Sequence, residues 1–261
     1  MKSKTKREQY LHKLKLQRNV IMSARILIFI LFIGLWEFLG RIKVIDTFVF
    51  SSPSRIAECF ISLSKDGYIF RHIFITFYET FICFFIVIAA ALLLAIIMWR
   101  FRIIFRIFEP YFILLNSLPK SALAPVLIVW LGNNIKTIIV AAVSVAVFGA
   151  VLSIYTGFIE TEPEKTKLIK TLGGKEKDIL FKLVIPSSLP TIINTIKVNL
   201  GLSLVGVIIG EFLAAKQGLG YLIVYGSQVF KMDLVILSIT ILCLMSIILY
   251  FIIRLLEKKF A

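Results

Sequence analysis

The chain has 261 residues, of which 59% are hydrophobic and only 17% charged, with a formal net charge of +15. A soluble domain is about 45–50% apolar and about 25% charged, and a chain this short has no interior large enough to hide the excess. A water-soluble fold is excluded on that ground. So is the nucleic-acid partner that such basicity otherwise suggests, because the basic residues sit between long apolar runs rather than on one patch.

Residues 1–25 are polar and basic, with Lys2, Lys4, Lys6, Arg7, Lys13, Lys15, Arg18 and Arg25. The apolar run Ile26 to Leu39 follows. A cleaved leader ends in small residues; Trp36, Glu37 and Phe38 stand there instead, so the run reads as an uncleaved first span. Ser54-x-x-Ala57 opens a short amphipathic helix through Leu63, and Asp66-Gly67 is a turn. The second span, His72 to Met98, is long enough to cross a ~30 Å hydrocarbon layer with tilt to spare. Trp99, Arg100, Arg102 and Arg106 mark its end. The third span, Ile103 to Leu131, is interrupted at Pro119 and again at Pro125. Proline removes a backbone donor, and such a break survives in lipid only where protein or a water-filled cavity covers it.

Gly132-Asn133-Asn134 turns into the fourth span, Ile135 to Phe158. A polar stretch, 159–186, separates it from the fifth, 187–210, which ends at Glu211. A mixed loop, 212–232, carries Gly218, Gly220 and Gly226. The last span, Leu234 to Leu255, precedes Glu257, Lys258 and Lys259. The expected organisation is therefore a basic tail, 1–25, a single all-α transmembrane domain of six helices, 26–256, and a short tail, 257–261. Six spans put both termini on one side. Twenty Lys and Arg lie on that side, in the tails, the segment after span two and residues 159–186; eight lie on the other. The excess places the termini and residues 159–186 in the cytoplasm of a cell membrane.

Chemistry is sparse. Cys59, Cys83 and Cys243 form no CxxC, and His12 and His72 are the only histidines, so a metal site, a disulfide framework and a catalytic triad all lack parts. No GxxxxGK[ST] occurs, and Gly173-Gly174-Lys175 is too short to cradle phosphate. A lipid-modifying enzyme would need a catalytic cluster at one interface, and none is visible. An ion-driven transporter would suit the broken third span, but no inverted repeat is evident.

The stretch 161–186 is the most informative. Thr161 and Glu164 fit a capping box around Pro163, the helix runs to Leu172, and Gly173-Gly174 stop it. A second helix leads from Lys175 to Pro186. Leu168, Ile169 and Leu172 form an apolar stripe. It either lies on lipid headgroups, with its lysines on anionic lipid, or docks a cytoplasmic partner.

This order of features resembles the permeases of type I ABC importers, whose cytoplasmic loop is written EAA-x3-G-x9-I-x-L-P. Gly173 and Pro186 stand thirteen apart as that pattern asks, and Leu183 and Ile185 match its apolar positions. The resemblance is to the nitrate, sulfonate and taurine type. Ser52-Pro53-Ser54, Leu118-Pro119-Lys120, Pro125, Trp130-Leu131-Gly132 and Gly157 stand in the expected order, followed by Leu189-Pro190, Glu211-Phe212-Leu213 and Gly218-Leu219-Gly220-Tyr221. The match spans roughly residues 46 to 256. One departure is that Lys167-Leu168-Ile169 occupies the Glu-Ala-Ala position; Glu164, a turn earlier, is the available substitute.

The resemblance implies a MetI-like permease fold and a non-enzymatic subunit, paired as a homodimer. ATP and Mg would be held by an ABC ATPase dimer, and an extracytoplasmic binding protein would deliver a small solute, anionic and of sulfonate, nitrate or taurine type. Coupling to the ATPase would rest on Thr161, Glu164, Lys167, Leu168, Leu172, Gly173, Gly174 and Pro186. Ionisable groups inside spans usually face a bundle interior or cavity. The candidates for the solute path are therefore Glu79, Asn116, Lys120, Asn194, Lys197 and Glu211. Asn194, Lys197 and Gly201 share one face of span five. Lys197 stands about 16 Å from Pro186, far for snorkelling, and Glu79 is a possible structural partner for such a lysine. Gly201, Gly206 and Gly210 allow close helix approach, either between subunits or within one.

Overall fold

The computed structural model describes the backbone of residues 6–260 and the side chains of 14–255, Ser121 and Ala124 excepted. Lys2 and Lys4 of the basic tail therefore lie outside the described residues. So do the side chains of Lys6, Arg7, His12, Lys13, Glu257, Lys258 and Lys259. Every regular element among the described residues is helical.

The first helix, α1 (Lys6–Arg41), runs without a break through residue 25, so the basic stretch and the first apolar run share one rod. Its apolar part is exposed along nearly its whole length, as only a lipid or protein neighbour would permit. It is tied to the rest at its end, where Glu37 accepts hydrogen bonds from Ser54 N (3.1 Å) and Ser54 Oγ (3.0 Å). A single turn, α2 (Thr47–Phe50), precedes α3 (Pro53–Lys65). Ser52 rather than Ser54 caps α3, because Pro53 fills the first helical position, where a missing N–H costs nothing. Gly67, at φ +67°, makes the turn into α4 (Tyr68–Arg100).

The expected third span is two helices, α5 (Arg102–Ser117) and α6 (Lys120–Leu131). Leu118 is extended, as the residue before a proline must be. The carbonyls freed by the break are capped from within the chain: Lys120 Nζ donates to Leu115 O and, at 2.6 Å, to Asn116 O. Pro125 does not interrupt α6. It stands in the second turn, where a helix forfeits one backbone bond at most.

Then come α7 (Ile135–Ile159), α8 (Pro163–Thr171), α9 (Glu176–Ile179), a π-helical turn (Leu180–Val184), α10 (Ile185–Ser187), α11 (Leu189–Ala214), α12 (Leu219–Gln228) and α13 (Met232–Phe260). Among the described residues, five stretches are long and apolar enough to cross a membrane: Leu14–Arg41, Tyr68–Arg100, Ile135–Ile159, Leu189–Ala214 and Met232–Leu255. Neither α5 nor α6 reaches that length alone.

The centre of the bundle is α4, α7 and α11. Their contact faces are lined by small residues, with Ala91, Ala95, Ala142, Ala146 and Ala150 buried. Added Cβ atoms at Gly206 and Gly210 would lie 2.8 Å from the Ala142 backbone and 2.9 Å from the Ile138 side chain. These two glycines therefore serve packing within one chain, whereas Gly201 has nothing within 4 Å. Small residues let backbones approach where lipid provides no hydrophobic drive between helices. A second cluster, from Leu200 and Leu204 to Leu237 and Met245, seats α12 and α13 against α11.

Candidate functional site

Two places concentrate the polar chemistry, at opposite ends of α4. At the Arg100 end lies α8. Its N-cap is Glu162, with no side-chain capping bond, so the expected box of Thr161 and Glu164 does not form. Thr161 Oγ1 instead lies 3.2 Å from Ser187 Oγ, and Glu162 is paired with Lys165 at 2.8 Å. Pro163 at the first position still fits the helix start.

The glycine stop forms as expected. Gly173, at φ +81°, donates to Lys170 O (3.0 Å) and Gly174 to Ile169 O (2.9 Å), the paired bonds of a Schellman end. A Cβ on Gly174 would meet Ile169 O at 2.9 Å. The apolar stripe divides: Ile169 packs on the core, while Leu168 and Leu172 are 59% and 77% exposed.

The elements after α8 anchor it. Asp178 accepts from Lys175 N (3.0 Å) and pairs with Lys182 (2.7 Å), which together hold its carboxyl below the ordinary aspartate range. Glu176 reaches back to Arg100 at 2.7 Å. The π-helical turn buries Leu180 and Val184, an irregularity the sequence did not announce. Pro186 is exposed at the following turn. Ser188 Oγ then donates to Gly157 O at 2.7 Å and pins the start of α11 to the end of α7.

At the other end of α4, Glu79 and Glu211 are 3% and 1% exposed. Among the described residues, Glu79 Oε2 is buried without a hydrogen-bond partner, whereas the Glu211 carboxylate is held at both oxygens. Thr76 Oγ1 donates to Glu211 Oε1 (2.7 Å) and Gly220 N to Oε2 (2.6 Å). Thr76 Oγ1 in turn accepts from Leu219 N at 2.8 Å, and His72 Nδ1 accepts from Gly218 N at 2.9 Å. Gly218, at φ +109°, leaves no room for a Cβ beside the Glu211 carboxylate. The loop after α11 is thus folded back over a buried acid. His72 and Thr76 were not singled out from sequence; their partners lie more than 130 residues away.

The remaining candidates for the path separate. Asn116 is exposed on α5, and Lys120 is occupied with the broken helix end. Asn194 is exposed on α11. Lys197 is half-buried beside a cavity of about 100 Å³ between α11 and α13, with Ser246 and Tyr250. Glu79 meets Glu211 rather than a lysine.

Residues 86–261 match the family described as binding-protein-dependent transport system inner membrane component. The formylaminopyrimidine transport permease protein ThiX of Halalkalibacterium halodurans is 27% identical over 195 residues, 75% of this chain and 77% of that protein. The putative aliphatic sulfonates transport permease protein SsuC of Bacillus subtilis is 24% identical over 228 residues, 87% of this chain and 82% of that one. The fold is similar to that in an inward-facing MetNI methionine ABC transporter structure, with a TM-score of 0.63 at 16% identity, over 73% of this chain and 95% of that chain.

Proposed function

The chain belongs to the family of binding-protein-dependent transport system inner membrane components, and we propose that it is the permease subunit of an importer whose ATPase docks on α8. It is a multi-pass membrane component of an ABC transporter, and ATP hydrolysis falls to a separate subunit. The observation that carries the docking reading is the pair Leu168 and Leu172, exposed on a helix that is stopped by its own glycines and braced to the ends of α4 and α7. Apolar side chains held rigidly outside the bundle are suited to a protein groove.

ATP-driven closure of two ATPase subunits would carry α8 with it. Because Ile169 and the π-helical turn pack on α4 and α7, that motion would pass into the bundle and switch the cavity between two permease copies from inward- to outward-facing. The basic excess supports an α8 on the cytoplasmic side of a bacterial cell membrane, with both termini there. A binding protein would dock on the opposite side.

The solute is proposed to be a small organic molecule of sulfonate or aminopyrimidine type, by similarity to SsuC and ThiX. Asn116, Asn194 and Gly201, exposed on α5 and α11, suit a path between copies. Glu211 and Lys120 are hydrogen-bonded inside the chain and are better read as structural. Co-expression with candidate ABC ATPase subunits tests the reading. The ATPase should co-purify with wild type and be lost with Leu172→Asp. A chain that transports alone, driven by an ion gradient, would overturn it.

A further inference from the structure

The side of α8 away from Leu168 and Leu172 is not apolar. Pro163, Thr166, Lys167 and Lys170 recur at i, i+3, i+4 and i+7 and so share one face. That face lines a cavity of about 810 Å³, whose opposite wall is the junction of α4 and α5. Arg100 and Arg102 enter from that junction, over a floor that includes Trp99, Phe158 and Ile159. Arg100 is paired with Glu176. Among the described residues, no acid pairs with Arg102, Lys167 or Lys170. Three cations without acids thus converge on a cavity floored by apolar side chains.

We propose that this cavity binds the headgroup of an anionic phospholipid. The phosphodiester would sit among Arg102, Lys167 and Lys170. The acyl chains would leave over Phe101 and Ile103, which are 53% and 74% exposed at the start of α5. The depth is right for a headgroup, because α4 ends here in Trp99 and Arg100, the residue types that mark a membrane interface. The charge is right for the anionic inner leaflet. An acidic segment of the ATPase is disfavoured as occupant, since the exposed leucines present α8's docking face on its other side and the cavity opens beside lipid-facing residues. The proposal shares α8 with the docking reading but needs no ATPase, so the two fail separately.

The test counts lipids retained on the purified chain by native mass spectrometry, in detergent with added phosphatidylglycerol or phosphatidylcholine. Wild type should retain phosphatidylglycerol in preference to phosphatidylcholine. Retention in Arg102→Gln/Lys170→Gln should weaken roughly fivefold per cation removed, while the pair Arg102→Lys/Lys170→Arg keeps it. Lys136→Gln, at the other end of the bundle, should change nothing. Equal retention of the two lipids by wild type would overturn the proposal without recourse to any variant. So would undiminished phosphatidylglycerol retention in the glutamine pair, or its loss in the charge-preserving pair. Displacement by millimolar inorganic phosphate would make this a free-anion site, and displacement by the ATPase a protein contact; either outcome would overturn it too.

Discussion

The two ends of α4 handle charge in opposite ways. Around Glu211 the polar groups are buried, and most of the bonds cross the bundle: His72 and Thr76 of α4 bond to Gly218, Leu219 and Glu211, and Gly220 closes the loop back on Glu211. Around α8 the charges are exposed, and the bonds are mostly local, from Glu162 to Lys165 and from Asp178 to Lys175 and Lys182. A buried polar network costs stability when any member is removed, whereas a surface ion pair is worth little. The first end is therefore built to stay in one arrangement. The second is a small helix on a few tethers, suited to moving as a unit.

That contrast can be broken experimentally, beginning where the largest loss of stability is expected. Gly218→Val forces a β-branched residue to φ +109° and into the Glu211 carboxylate. It should cost about 3 kcal/mol or more, seen as lost monodispersity on heating in detergent. Glu211→Leu strands the Thr76 hydroxyl and the Gly220 N–H and should cost about 2–5 kcal/mol. A thermal midpoint like that of wild type in either variant would remove the node from the fold's framework.

Gly173→Val strains φ +81° but meets nothing within 4 Å, so the cost should be about 1–2 kcal/mol and confined to α8. Uptake should become uncoupled from ATP hydrolysis, and Gly173→Asn, which tolerates the left-handed region, should restore coupling. Coupled uptake in the valine variant would count against α8 as a lever.

The pH response should be smaller. The Asp178 carboxyl is held below its ordinary 3.8 by the Lys182 pair and the Lys175 N–H. A depressed carboxyl stabilises the fold above its unfolded value, and that contribution fades as pH falls through the folded one. Protection factors of the amides in the first turn of α9, corrected for intrinsic exchange, should therefore fall below about pH 4 and stay constant with pH in Asp178→Asn.

Leu172→Asp should leave stability within about 0.5 kcal/mol while abolishing ATPase co-purification. Losing function with no loss of fold is the sharpest form of the difference between the two ends.

Much of the α8 end was legible in the sequence because its signals are local. Gly173-Gly174 stops a helix wherever it stands, and Pro163 opens one. The misreading there was the capping box: Thr161 and Glu164 have the right spacing, but Thr161 faces Ser187, a partner 26 residues on. The other end was legible only as fragments. Glu211 and the Gly218-Leu219-Gly220 run were both visible, yet nothing local says that the loop wraps the acid, or that Glu79 meets another carboxyl. Lys120 was legible in the same partial way, because its bonds to Leu115 O and Asn116 O depend on how the broken helix folds.

By itself the sequence determined that the chain is a multi-pass membrane protein, where its five long apolar helices lie, and where glycine and proline stop or open a helix. Hydrophobic excess, proline and glycine act over a few residues, whatever the rest of the chain does. Tertiary structure alone decided which glycines pack against α7, which acids are buried together, and that α8 carries leucines outward on one side and lysines into a cavity on the other. Those outcomes depend on helices brought together across more than a hundred residues, and no periodicity along one chain encodes the neighbour that each face will meet.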